Sequence, residues 1–292
     1  MFSGSLVAIV TPMGADGAVD FAAWARLVDF HLVNGTDGIV IGGSTGESVS
    51  LEDEELRELT QRACAQARGR AAVVVGAGTS NTRTTVARVA WLSQLPIDAL
   101  LLVTPAYNRP TQEGLFQHFS AAAAAAHKPL LVYNVPGRTA VDMLPAVVGR
   151  LSRVAGIVGI KEAVPEAARV RELLRVCRAD FVVLSGDDAS ARDTIAAGAR
   201  GVISVTANVV PRAMKQMVSA ALAGDAAGAA SLDAPLAALH RDLFIEANPI
   251  PVKWLLQQMG LIGPGVRLPL TALAPQYHET VRAALRSAGA LA

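Results

Sequence analysis

The chain is poor in several things, and each shortage narrows what it can be. Two cysteines stand in 292 residues, Cys64 and Cys177. They form no C-x-x-C pair and fall in helix-like segments, so they read as reduced thiols of a cytoplasmic protein rather than a disulfide framework. No apolar stretch approaches the roughly 18 residues that a bilayer span needs. The formal charge is only +1, with no basic block, so nothing marks a surface for nucleic acid or an anionic membrane. The start, MFSGSLVAIVTPMG, has no basic n-region and runs straight into a strand pattern, so no signal peptide is expected. The five histidines, His31, His118, His127, His240 and His278, show no ligand spacing, which argues against a zinc site. Lysine is scarce too. Of 26 basic residues only Lys128, Lys161, Lys215 and Lys253 are lysine, and the other 22 are arginine.

Hydrophobic residues make up 52% and charged residues 17%, a globular balance. Short β-rich runs recur: SLVAIV (5–10), GIVIGG (38–43), AAVVVGAG (71–78), DALLLVTP (98–105), PLLVYNVP (129–136), GIVGIK (156–161), FVVLSG (181–186) and GVISVT (201–206). Amphipathic stretches lie between them, such as 21–35, 51–67 and 113–127. Ser50 with Asp53 three residues on resembles a capping box, and Gly35 and Gly198 read as helix stops. The alanine run at 121–126 reads as helix interior. Strand–helix alternation argues for parallel strands with right-handed crossovers. Eight such units in about 225 residues predict a closed (β/α)8 barrel, the TIM-barrel class. An open doubly wound sheet is the alternative, but no G-x-G-x-x-G follows the first strand. The expected division is a barrel over 1–210 carrying the active site and a C-terminal helical extension over 211–292, in which NPIPVKW starts a helix.

A barrel places its chemistry at the carboxyl ends of its strands. Those ends carry Thr11; Ser44, Thr45 and Glu47; Gly78; Thr104 and Tyr107; Tyr133, Asn134 and Arg138; Lys161 and Glu162; Ser185 and Asp187; and Ser204, Thr206 and Asn208. Lys161 ends an apolar run, where a charge is expensive to bury. Lysine, unlike arginine, can lose its proton there and become a nucleophile. Taken alone, it reads more readily as a strand-end charge reaching water. A neutral amine attacking a ketone forms an iminium that serves as electron sink. Loss of water from the adduct needs a proton shuttle, which tyrosine and hydroxyls supply without adding charge. The Gly-rich GGSTGES segment offers two hydroxyls and successive amides, a nest for a carboxylate, or simply a tight turn. Tyr107 and Tyr133 can be packing residues, and Arg138 a surface charge. Asp188 in LSGDDAS reads as a helix cap. Together these features point to a metal-free lysine enzyme acting on a keto acid.

The same residues resemble the 4-hydroxy-tetrahydrodipicolinate synthase family of pyruvate-dependent aldolases, through GGSTGES, YNRPTQEGL, YNVPGRT, GIKEA, LSGDDAS, GVISVTANV and NPIPVKW. The resemblance spans essentially the whole chain. It implies condensation of pyruvate with L-aspartate 4-semialdehyde in lysine and diaminopimelate biosynthesis, with no cofactor. It implies that Lys161 forms the Schiff base, and that Tyr133, Ser44 and Tyr107 relay protons. It further implies that Thr45 binds the pyruvate carboxylate, that Arg138 binds the semialdehyde carboxylate, and that Gly186 and Ile203 line the pocket with their backbone. A homotetramer is implied, with Tyr107 crossing a dimer interface.

Two departures from the family pattern carry expectations. Ser44 stands where threonine is usual; its hydroxyl is kept, but serine is freer at χ1. The lysine-effector positions are Asp53, Leu56, Ser80, Thr84 and Ala106, with Ser48 retained, which implies weak or absent inhibition by lysine. Two rivals stay open. One is a sister aldolase acting on sialic acid or a keto-deoxy sugar acid, against which Arg138 argues. The other is a non-catalytic keto-acid sensor, which needs no proton relay.

Overall fold

Each of the eight apolar runs forms a strand, and in this computed structural model, which describes residues 2–290, the strands close on one another in chain order. They are β1 (Gly4–Ala8), β2 (Gly38–Ile41), β3 (Ala72–Gly76), β4 (Ala99–Val103), β5 (Leu130–Asn134), β6 (Ile157–Glu162), β7 (Val182–Ser185) and β8 (Gly201–Ser204). Every neighbouring pair is parallel, and β8 pairs back to β1. The fold is the expected (β/α)8 barrel.

The helices before the last strand are α1 (Phe21–Val33), α2 (Asp53–Ala67), α3 (Thr82–Leu92), α4 (Gln112–Ala125), α5 (Pro136–Thr139), α6 (Pro145–Leu151), α7 (Ala167–Val176) and α8 (Ala191–Ala196). After it come α9 (Pro211–Leu222), α10 (Ala226–Asp233), α11 (Ala237–Asp242), α12 (Ile250–Gln258) and α13 (His278–Ser287). The 210/211 division drawn from sequence falls between β8 and α9, the helix that covers β1 and the barrel seam.

The strands are apolar throughout because both faces are covered. Leu6, Ala8, Val40, Val74, Leu101, Leu131, Leu184 and Ile203 fill the barrel interior. Val7, Ile9, Ile39, Ile41, Val73, Val75, Leu100 and Leu130 join the outer layer against the helices. This alternation is the period-2 geometry of a strand.

Helix ends follow the sequence in part. Asp20 and Asn81 cap α1 and α3 with their side chains. Gly35 and Gly198 take the positive φ expected after helix ends. The α2 capping box, however, is Glu52 with Glu55, not Ser50 with Asp53. Ser50 instead closes a short 3-10 turn, Ser48–Ser50, because the chain turns once more before the helix begins. Asp188 is not a helix cap either. Its Oδ2 accepts the Val205 and Thr206 amides at 2.8 and 2.9 Å, tying the end of β7 to the end of β8.

Candidate active site

Lys161 would point out of the barrel if β6 alternated without interruption. Ile157 and Ile160 both pack in the outer layer, three residues apart, so the alternation breaks between them. The register shifts at the same place: Leu130 lies level with Ile157, but Leu131 with Gly159. One extra residue re-phases the strand, as a bulge does, and turns Lys161 inward, level with Tyr133 on β5 and Leu184 on β7. Gly159 suits this position, since a Cβ there would lie 2.6 Å from the Val182 carbonyl oxygen. Gly186 makes room at the other end, because a Cβ there would lie 3.1 Å from Lys161 Cε.

Lys161 is 6% exposed and forms no ion pair among the described residues. Burial pulls its pKa down to about 8; Asp188 opposes this and Arg138 reinforces it. Lowering the pKa from 10.5 to about 8 raises the neutral fraction at pH 8 from roughly 0.3% to about half. Its Nζ lies 4.3 Å from the centre of the Tyr133 ring. Tyr133 is buried, and burial pushes its pKa up to about 12, so it remains a phenol that can donate a proton.

The GGSTGES segment folds back on itself after β2. Gly46 and Ser48 amides donate to the Gly43 carbonyl, and the Glu47 amide donates to Ser44. The Ser44 and Thr45 amides have no acceptor among the described residues, and both residues line the cavity that holds Lys161. Glu47 turns the chain at φ +57, a conformation uncommon outside glycine. Its carboxylate is fully buried, 2.5 Å from Lys253 Nζ on α12, and also accepts the Arg267 amide at 3.1 Å. The Arg267 guanidinium reaches the Ser50 carbonyl, Glu55 and the Gly17 carbonyl.

Asn248, just before α12, donates from Nδ2 to Thr45 Oγ1 at 3.0 Å, and its carbonyl accepts from Arg138 at 3.2 Å. A residue of the extension therefore orients both expected carboxylate binders. Behind the sheet, Asn134 donates to Asp142 at 2.7 Å and to Glu162 at 3.0 Å, while Asp142 pairs with Arg169. Burial pushes Glu162 up to about 7, against the hydrogen bonds and Arg169 that favour its charge. This network buttresses the ends of β5 and β6 from the side opposite Tyr133 and Lys161.

The fold brings Ser44, Thr45, Tyr133, Arg138, Lys161 and Gly186 around one cavity of about 190 Å³. That is small beside the roughly 300–1,000 Å³ of drug-sized clefts, and suits a molecule of a few heavy atoms. Ile203 lies instead in the packed barrel interior, one strand residue below the rim. Tyr107 is 96% exposed at φ +72 on the loop after β4 and does not join its own barrel's cavity. No hydrogen bond links Tyr133, Ser44 and Tyr107 among the described residues.

Asn248, Lys253 and Arg267 were not foreseen as site residues. Asn248 lies 203 residues from Thr45, a pairing that spacing cannot reveal. Lys253 did carry a signal: it is one of four lysines and stands in the apolar run IPVKWLL.

Residues 1–288 match the model of the dihydrodipicolinate synthetase family. Curated 4-hydroxy-tetrahydrodipicolinate synthases of Methylococcus capsulatus and Pseudomonas aeruginosa are 52% and 51% identical over 291 and 292 residues, covering 100% of this chain and of their own. The crystal structure of a chloride-inhibited dihydrodipicolinate synthase from Acinetobacter baumannii, complexed with pyruvate, matches with a TM-score of 0.98 at 45% identity, covering 100% of both chains.

Proposed function

The chain belongs to the dihydrodipicolinate synthetase family, and from that premise we propose that it is a lyase with the activity of 4-hydroxy-tetrahydrodipicolinate synthases. It condenses pyruvate with L-aspartate 4-semialdehyde at the head of diaminopimelate and lysine biosynthesis. The observation that carries this reading is the buried Lys161, unpaired among the described residues, facing Tyr133 in a small cavity also lined by Ser44, Thr45 and Arg138.

The neutral Lys161 amine attacks C2 of pyruvate, whose carboxylate rests on the Ser44–Thr45 amides and the Thr45 hydroxyl. Tyr133 donates a proton as water leaves, giving the iminium. Loss of a methyl proton yields the enamine, whose carbon attacks the aldehyde of the second substrate. Arg138 holds that substrate's carboxylate as a charge-assisted pair. The substrate's own amine then attacks C2, expels Lys161 and closes the ring. No added cofactor is required, since the iminium is the electron sink.

The exposed, positive-φ Tyr107 supports a shared site: a second copy that received Tyr107 would complete the relay through Ser44 to Tyr133. The assembly proposed is a homotetramer of two such dimers in the cytoplasm. No helix among the described residues is long and apolar enough to cross a membrane.

The test is to mix purified protein with both substrates and follow product through a coupled reductase. Turnover abolished by Lys161→Ala and crippled by Arg138→Ala is expected. No turnover, with pyruvate still trapped on Lys161 by borohydride, would move the reading to a sister aldolase of keto-deoxy sugar acids. No trapping at all would remove the Schiff-base mechanism.

A further inference from the structure

Glu47 is an odd residue for its place. The chain turns there at φ +57, where glycine is favoured, and a carboxylate is taken fully out of water. Strained non-glycine residues persist where the surroundings over-determine them. Here the surroundings are two residues of the C-terminal extension. Lys253, itself 3% exposed, meets Glu47 Oε1 at 2.5 Å, and the Arg267 amide meets Oε2 at 3.1 Å. Arg267 also grips the next turn through the Ser50 carbonyl at 2.5 Å, and is braced in turn by Glu55 and the Gly17 carbonyl. Both ends of the segment 47–50 are thus held from outside the barrel. The two free amides, Ser44 and Thr45, lie one residue before it, and the Glu47 amide closes the turn onto the Ser44 carbonyl.

We propose that Glu47, Lys253 and Arg267 form a positioning latch through which the C-terminal extension sets the amide nest for the keto-acid carboxylate. None of the three touches the reacting atoms. The proposal rests on the reading of that nest given under Proposed function. A buried ion pair is weak evidence of stabilisation, since an apolar pair of similar volume often does as well. What an apolar pair cannot do is hold the left-handed turn at Glu47 through two directed bonds. The latch therefore acts first on the first substrate's binding and on Schiff-base formation, and none of its three residues contacts Arg138.

The experiment compares the wild type with Glu47→Gln/Lys253→Met, which removes both charges together and avoids an unpaired buried ion. The readouts are KM for each substrate, kcat, and the rate of borohydride trapping with pyruvate. The latch requires KM for pyruvate to rise roughly tenfold and trapping to slow, with KM for the semialdehyde changed less than about twofold. Arg267→Met, at a partly exposed position, should shift the pyruvate KM in the same direction if the double variant does not fold. Faster amide exchange over 44–50 should accompany either change. A folded variant with a wild-type pyruvate KM and trapping rate overturns the latch and leaves the pair a purely structural contact. Failure of the wild type to be trapped would instead remove the reading on which the nest rests.

Discussion

Lys161 and Lys253 make a controlled comparison within one molecule. Both stand in apolar runs, both are at most 6% exposed, and burial pulls both below the ordinary lysine pKa. They differ in what they meet. Lys253 finds Glu47 at 2.5 Å, which pulls its pKa back up and keeps it an ammonium with a fixed geometry. Among the described residues Lys161 finds no carboxylate to pair with, only the Tyr133 ring face at 4.3 Å and the opposing fields of Asp188 and Arg138. A carboxylate partner turns a buried lysine into a structural cation, and its absence leaves an amine free to react.

Breaking the comparison most sharply means replacing each lysine by methionine. Lys161→Met should lower kcat/KM on the order of 10⁴-fold or more and abolish borohydride trapping. The same change should stabilise the fold near neutral pH by about 3 kcal/mol, because it removes an amine whose charge is penalised by burial. Lys253→Met should do the reverse to stability, costing about 3–5 kcal/mol by leaving Glu47 buried and unpaired. Thermal unfolding midpoints of opposite sign check the pair; two shifts of the same sign would dissolve the distinction.

The pH response should separate them next. The neutral Lys161 amine is the reactive form, so kcat/KM for pyruvate should rise with pH and level off above about 8. Below that it should fall about tenfold per unit. Tyr133, pushed up to about 12, adds no falling limb below pH 10. Stability responds in the window above that. The unfolded chain binds the Lys161 proton more tightly, so the cost of burial is full below pH 8 and fades as pH rises toward 10.4. The stability gained by Lys161→Met should shrink over the same window. A pH–rate profile with its limb near 6 would contradict this assignment.

Two smaller effects refine the surroundings. Ser44→Thr keeps the hydroxyl and restricts χ1, so steady-state rates should change by less than about threefold. A dead parent enzyme revived by this change would show that the relay depends on the rotamer. Free lysine is a third amine to compare. The cavity beside the site is walled by Ser48, Ser80, Ala106 and Arg88, and its sole acidic wall residue among the described residues, Glu47, is already taken by Lys253. Asp53 is likewise engaged by Arg88 at 2.6 Å. An initial-rate titration should therefore show little inhibition by millimolar L-lysine, whereas half-inhibition below a millimolar would contradict it.

Most of the barrel was legible in the chain. Runs such as LLVYN and VVLS are apolar on both faces and short, and helical patterns of fitting length separate them. Strand-end residues were legible for the same reason: Tyr133, Lys161 and Arg138 follow directly from where a run stops. Helix starts were less so. At Ser50–Glu55 several side chains could cap, and Arg267, more than 200 residues away, selects among them by binding Glu55 and the Ser50 carbonyl. Asp188 likewise had a local helix cap open to it and took the β8 amides instead.

By itself, then, the sequence determined the alternation, the eightfold repeat and the set of chemical groups at the strand ends, because these depend on local periodicity and on residue type. Only the tertiary structure decided which of those groups share a cavity. The bulge in β6 turns Lys161 inward, a matter of register between strands that no single strand carries. Asn248, Lys253 and Arg267 reach the β2 loop from the far end of the chain, since ion pairing and hydrogen bonding act through space and are indifferent to sequence separation. The same physics left Lys161 without a partner, and so left it reactive.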